Sequence, residues 1–110
     1  MKYAIALALM TTAAHAQTVP PPEYDRPYRG HLTVERIATH AALLAACRRW
    51  AGSNIIGCAY RSGDSCRVVI VTDNLLKAAN STRARIMRHE LGHCNGWPGD
   101  HPGARPLVVR

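Results

Sequence analysis

The sequence predicts a small α+β domain in the order helix, antiparallel β-hairpin, helix, with disulfides holding the layers together. Three observations carry that expectation. Val34, Ile37, Ala41, Leu44 and Ala45 recur at helical spacing. Two runs rich in β-branched and apolar residues, Asn54 to Tyr60 and Cys66 to Thr72, flank turn chemistry at Arg61-Ser62-Gly63-Asp64-Ser65. A second helical stretch near the C-terminal end carries two histidines and stops at Gly96 and Pro98.

The first 16 residues stand outside that domain. Met1-Lys2 supplies one positive charge, Tyr3 to Met10 is almost wholly apolar, and Ala14-His15-Ala16 is a small-x-small cleavage site before Gln17. This pattern predicts a secretory signal peptide over 1–16 and a secreted or periplasmic protein. The apolar run is far shorter than the roughly 20 residues of a spanning helix, so no membrane anchor is expected.

Cleavage there leaves one small domain behind an arm over 17–30, where Pro20, Pro21, Pro22 and Pro27 predict an extended or disordered, solvated segment. The domain itself is expected over 31–110. Removing Lys2 leaves 13 basic against 7 acidic residues, a net charge of +6 with the histidines neutral. The arginines are scattered, Phe is absent and no aromatic platform alternates with them, which argues against nucleic acid as a partner and for a solvated cationic surface. A monomer is expected.

In chain order, Thr33 is placed to cap a first helix running to about Trp50, ended by Gly52 and Ser53. His31 and His40 lie near or on it without a histidine partner one turn away, and read as surface or packing residues. The two β-rich runs then form the hairpin. Leu75 to Ala79 predicts a short helical turn, and the main helix begins near Asn80 or Ser81, with Ile86 and Leu91 inward and Arg83, Arg85 and Arg88 in solvent. Residues 102–110 read as an irregular tail.

A domain this small buries little apolar surface, and export offers disulfides as the remedy. The four cysteines, Cys47, Cys58, Cys66 and Cys94, allow three pairings. Cys58 and Cys66 flank the turn, which favours that pair and leaves Cys47 with Cys94 to tie the two helices. Cys94 as a metal ligand is disfavoured, because at about 100° per residue it points away from the face holding His89 and His93.

The chemistry lies in His89-Glu90-Leu91-Gly92-His93-Cys94-Asn95-Gly96-Trp97-Pro98-Gly99-Asp100-His101. His89 and His93 are one helical turn apart, so their rings can converge on one ion. Glu90 lies beside that face, where its carboxylate can reach a metal-bound water without coordinating. Gly96 suits the left-handed residue that ends the helix, Trp97 is expected to fold back towards Leu91, and Pro98 prevents continuation. The chain then reverses and carries Asp100 and His101 towards the open side of the pair. As third ligand His101 is preferred, since neutral imidazole is the commoner zinc ligand and the longer loop gives it reach; Asp100 is the alternative, as a ligand or as an acceptor behind a ligand histidine.

This stretch resembles the active-site helix of the zincin metallopeptidases, and within them the metzincin H-E-x-x-H-x-x-G pattern, matched by His89, Glu90, His93 and Gly96. The resemblance implies one Zn²⁺ held by both histidines and a third ligand, Glu90 as general base, a peptide or protein substrate, and a minimal zincin-like domain over 31–110. The metzincin third ligand falls at the position of Gly99, so here the ligand loop is longer by one or two residues, and no methionine follows His101. The alternative is an exported zinc-binding or zinc-stabilised interaction protein without turnover. A third reading, a basic disulfide-stabilised module for an acidic partner, makes the histidines incidental. Zincins bind extended peptides along a sheet edge above the metal, and the hairpin is the candidate for that edge.

Overall fold

The computed structural model describes residues 18–48 and 55–107. The stretch expected as a signal peptide over 1–16, Gln17, and the first helix's expected end at Trp50, Gly52 and Ser53 lie outside them. The elements in order are β1 (Thr18–Val19), β2 (His31–Ile37), α1 (His40–Ala46), β3 (Gly57–Ser62), β4 (Ser65–Val71), α2 (Asp73–Ala78), α3 (Arg83–Cys94) and β5 (Arg105–Pro106). The domain is mixed α+β, with three helices, two sheets and two disulfides among the described residues.

The hairpin forms as β3 and β4, antiparallel, with Ser62 opposite Ser65 across Gly63, whose φ is 59°. The main sheet has the order β2-β4-β3, and β2 runs parallel to β4 in the register His31↔Ser65 to Ile37↔Val71. The first expected helix is thereby corrected. Its first half is strand, because Thr33, Val34 and Ile37 are β-branched and pairing with β4 outweighs a helical periodicity that short. Thr33 is inside that strand. The cap is Thr39, whose hydroxyl accepts from the amide of Ala42 at 3.1 Å, and α1 follows.

The register sorts side chains to the two faces of the sheet. Cys58, Val69 and Val71 share one face, while Cys66, Val68 and Ile70 share the other. The expected Cys58–Cys66 bridge therefore has its two side chains on opposite faces, and the pairing is corrected to Cys47–Cys58 and Cys66–Cys94. The first bridge fastens the end of α1 to one face; the second fastens the end of α3 to the other. Each helix is stapled to the central strands, and Cys94 has no thiolate to offer a metal. Between the layers lie Leu43, Val68, Val69, Ile70, Val71, Leu76 and Ile86, all buried.

The Pro-rich arm is also corrected, from a solvated linker to a packed strap. Thr18 and Val19 pair with Pro106 and Arg105, so the expected irregular tail supplies a short strand. Asn95 donates from Nδ2 to the carbonyls of Tyr24 (3.1 Å) and Arg26 (2.6 Å). Asp25 receives Arg88 at 3.0 and 2.7 Å and Arg105 at 2.9 Å. The prolines remove amide donors, so this segment meets its needs with carbonyls turned towards α3 and β5.

Candidate metal centre

Helix α3 begins after Thr82, whose hydroxyl accepts from the amide of Arg85 at 3.3 Å, slightly later than the expected Asn80 or Ser81. It ends as the sequence implies. Gly96 has φ 106°, its amide donates to His93 O at 3.0 Å, and the amide of Trp97 donates to Gly92 O at 3.0 Å. This is a Schellman termination, in which a left-handed glycine turns its own amide and the next one back onto the last carbonyls.

The reversal lays the Trp97 ring across the histidines. Trp97 stacks on His93 with ring centroids 4.8 Å apart and planes 13° apart, and meets His89 and His101 edge-on at 5.1 and 4.9 Å. It is only 2% exposed, and its Nε1 donates to the carbonyl of Pro102 at 2.8 Å. That bond and the turn bonds His101 N to Pro98 O (3.0 Å) and Ala104 N to His101 O (3.2 Å) define the loop that delivers His101. His101 holds φ 60°, a left-handed conformation costing a β-carbon residue about 1 kcal/mol or more, which the turn sustains.

His89, His93 and His101 come together as a cluster able to hold a metal ion. Their Nε2 atoms stand 3.4 Å (His89–His93), 3.1 Å (His89–His101) and 3.1 Å (His93–His101) apart. A tetrahedral centre with Zn–N bonds of about 2.0–2.1 Å has its nitrogens about 3.3–3.4 Å apart, so the triangle fits one ion. The ring tautomers agree. His89 Nδ1 is 2.8 Å from the carbonyl of Thr18, and His93 Nδ1 is 2.8 Å from that of Trp97. A carbonyl only accepts, so each Nδ1 carries the hydrogen and each Nε2 presents its lone pair. Two lone pairs facing each other repel; a hydrogen on His101 Nε2 would satisfy one of them, whereas a cation satisfies all three. Burial lowers the pKa of His93, partly offset by the Trp97 carbonyl, and so favours the neutral ligand form.

Asp100 is exposed and is not part of the cluster. Glu90 also stands outside the nitrogen triangle. It lies on the flank of α3 turned to the sheet, 4% exposed, where a β-carbon on Gly57 of β3 would come within 3.3 Å of its Oε2. Burial pushes its carboxyl up to about 8. Tyr60, the available hydroxyl in the hairpin, is turned to the other face, donating to Ala46 O at 2.7 Å. His31 and His40 are exposed, and His40 Nε2 contacts the carbonyl of Ile55 at 3.0 Å.

Sequence reading missed the groups behind the three histidines. The Thr18 carbonyl comes from a segment 71 residues away and leaves no mark in the sequence. Gly92 did leave one, a glycine in mid-helix. A β-carbon there would fall 2.7 Å from Pro20 Cγ and 3.1 Å from Trp97 Cε3, so the strap and the tryptophan close over bare backbone. No helix among the described residues is long and apolar enough to cross a membrane, and the two disulfides suit an oxidising, extracellular setting. No family model, curated protein or solved structure matches this chain.

Proposed function

We propose that the protein is an exported zinc-dependent peptidase. The observation that supports it best is the triangle of Nε2 atoms from His89, His93 and His101, with two of the rings fixed as Nδ1–H tautomers by backbone carbonyls. Three neutral imidazoles are the donor set of a zinc site that keeps one position open, and they suit zinc better than the hard, oxygen-seeking cations. Bound there, zinc would supply an acidified water, with a pKa towards roughly 7, and a polarising charge for a carbonyl beside it.

The chain's own groups do the rest. His89, His93 and His101 would hold the ion, and Trp97 covers their rings. Glu90, the residue after His89 on α3, would take the proton of the attacking water and pass it to the leaving amine. An extended peptide fits the edge of β3, which among the described residues pairs with β4 on one side only and packs against α3 beside Glu90. The signal-peptide pattern and the disulfides support action outside the cytoplasm.

A zinc-stabilised interaction protein is the second reading, favoured because the Tyr60 hydroxyl, a donor available to stabilise a developing oxyanion, is committed to Ala46 on the far face. One comparison separates the two. The oxidised protein without its leader is expected to hold one equivalent of zinc, and His89→Ala, His93→Ala or His101→Ala to lose it. Glu90→Gln is expected to keep the metal and lose cleavage of a broad peptide library. Equal activity, or equal inactivity, of wild type and Glu90→Gln removes the peptidase reading.

A further inference from the structure

The strap over residues 18–26 reaches α3 at four places. Thr18 O accepts from His89 Nδ1 at 2.8 Å, Pro20 lies over Gly92, Asp25 takes the bidentate guanidinium of Arg88, and Asn95 holds Tyr24 O and Arg26 O. Arg105 binds the whole together, donating to Pro20 O at 3.1 and 2.6 Å and to Asp25 at 2.9 Å. These contacts are polar and in part exposed, with Arg88 and Arg105 side chains 44% and 42% accessible, so the strap is held less firmly than the disulfide-stapled layers. His93, by contrast, takes its carbonyl from Trp97, four residues along the same turn.

We propose that the strap is a conditional part of the metal centre. Thr18 is a positioning residue whose carbonyl sets the tautomer and direction of His89, so that strap docking and metal binding are coupled. The proposal rests on the reading of the three histidines as a metal site. With the strap undocked, His89 loses the acceptor that keeps hydrogen on Nδ1, and neutral imidazole in water places it mainly on Nε2, the nitrogen the ion needs bare. Coupling is reciprocal: whatever strap docking adds to metal affinity, the metal adds to strap docking. Events at the N-terminal end of the domain, such as proteolysis or the docking of a partner on the strap, then act on the metal site without touching a ligand.

The test uses full-length mature protein and two variants that loosen the strap away from the ligands, Asp25→Ala and Arg105→Leu. Glu35→Ala, which removes the ion pair with Arg67 on the main sheet, is the control. In metal-free wild type, imidazole ¹⁵N shifts are expected to report His89 as the Nδ1–H tautomer, moving towards Nε2–H in both strap variants and not in the control. Zinc affinity, measured against a competing chelator, is expected to fall about tenfold in the strap variants. In wild type, zinc is expected to slow amide exchange at Val19, Tyr24 and Asp25. Unchanged exchange on zinc addition, or strap variants within twofold of wild-type affinity, overturns the coupling. Wild type that binds no zinc overturns the metal reading and the coupling with it, while the tautomer measurement still decides whether Thr18 governs His89.

Discussion

His93 is gripped twice by Trp97: its Nδ1 donates to the Trp97 carbonyl at 2.8 Å, and its ring lies against the Trp97 indole with centroids 4.8 Å apart. The carbonyl fixes which nitrogen is bare, and the indole fixes the plane of the ring. Trp97→Ala keeps the carbonyl and removes the indole from a site where it is 2% exposed. We expect a loss of about 3–5 kcal/mol of stability in urea melts, and weaker zinc binding, because His89, His93 and His101 all rest on that ring. Trp97→Phe keeps an aromatic face but loses the donor to Pro102, and should fall between. Full zinc affinity in Trp97→Ala would show that the indole only fills space.

Gly92 explains how closely the site is roofed. In an exposed helix a change to alanine would gain about 1 kcal/mol. Here the new β-carbon would meet Pro20 Cγ at 2.7 Å and Trp97 Cε3 at 3.1 Å, so one of them must move. Pro20 belongs to the strap and Trp97 to the histidine shelf. Gly92→Ala is therefore expected to lose about 1–2 kcal/mol net, with helix content by circular dichroism unchanged. A stabilised variant would mean that the strap rides further from α3 than the structure places it.

Much of this was legible in the sequence, and the division has physical causes. The hairpin, the stop at Gly96 and the approach of His89, His93 and His101 depend on contacts within about a dozen residues, which short-range patterns encode. Strand β2 is not legible, since Val34 and Ile37 stand at helical spacing while their β-branched side chains suit a strand, and only pairing with β4 decides. The disulfides were misassigned for a related reason. Which face Cys58 and Cys66 occupy follows from strand register, and register places Cys58 opposite Val69 and Cys66 opposite Arg61. The strap could not be foreseen, because proline-rich composition reads the same whether its carbonyls meet water or Asn95 and Arg105.

Asp25 makes the strap sensitive to acid. The Arg88 hydrogen bonds, and after them Arg105, hold its carboxyl below the usual range, against a smaller opposing effect of burial. Its folded pKa thus lies below the unfolded value of about 3.9, and the stability it contributes is present above that value and lost as pH falls through the folded pKa. Glu35 is lowered too by Arg67, so the informative quantity is a difference. Between pH 6 and pH 2, wild type should lose more stability than Asp25→Asn, with the variant only about 1 kcal/mol weaker at neutral pH because both arginines are partly solvated. Parallel pH profiles would assign the strap's hold to Asn95 and Arg105's contact with Pro20.

The two disulfides should separate stability from metal binding. Cys47–Cys58 closes a sequence separation of 11 residues and Cys66–Cys94 one of 28. On the chain-entropy model their removal costs about 2.8 and about 3.6 kcal/mol respectively. The difference in position matters more. Cys47–Cys58 joins α1 to the face of the sheet away from the histidines, whereas Cys94 follows His93 directly and begins the turn that carries Trp97 and His101. Replacing Cys47 and Cys58 together by serine is expected to lower the melting temperature and leave zinc affinity, at a temperature where the protein stays folded, within about twofold. Replacing Cys66 and Cys94 together frees the last turn of α3 from β4, so zinc affinity should fall about tenfold or more, in proportion to the disorder of that turn. Equal zinc affinity in the two double variants would locate the rigidity of the site in the Trp97 shelf alone.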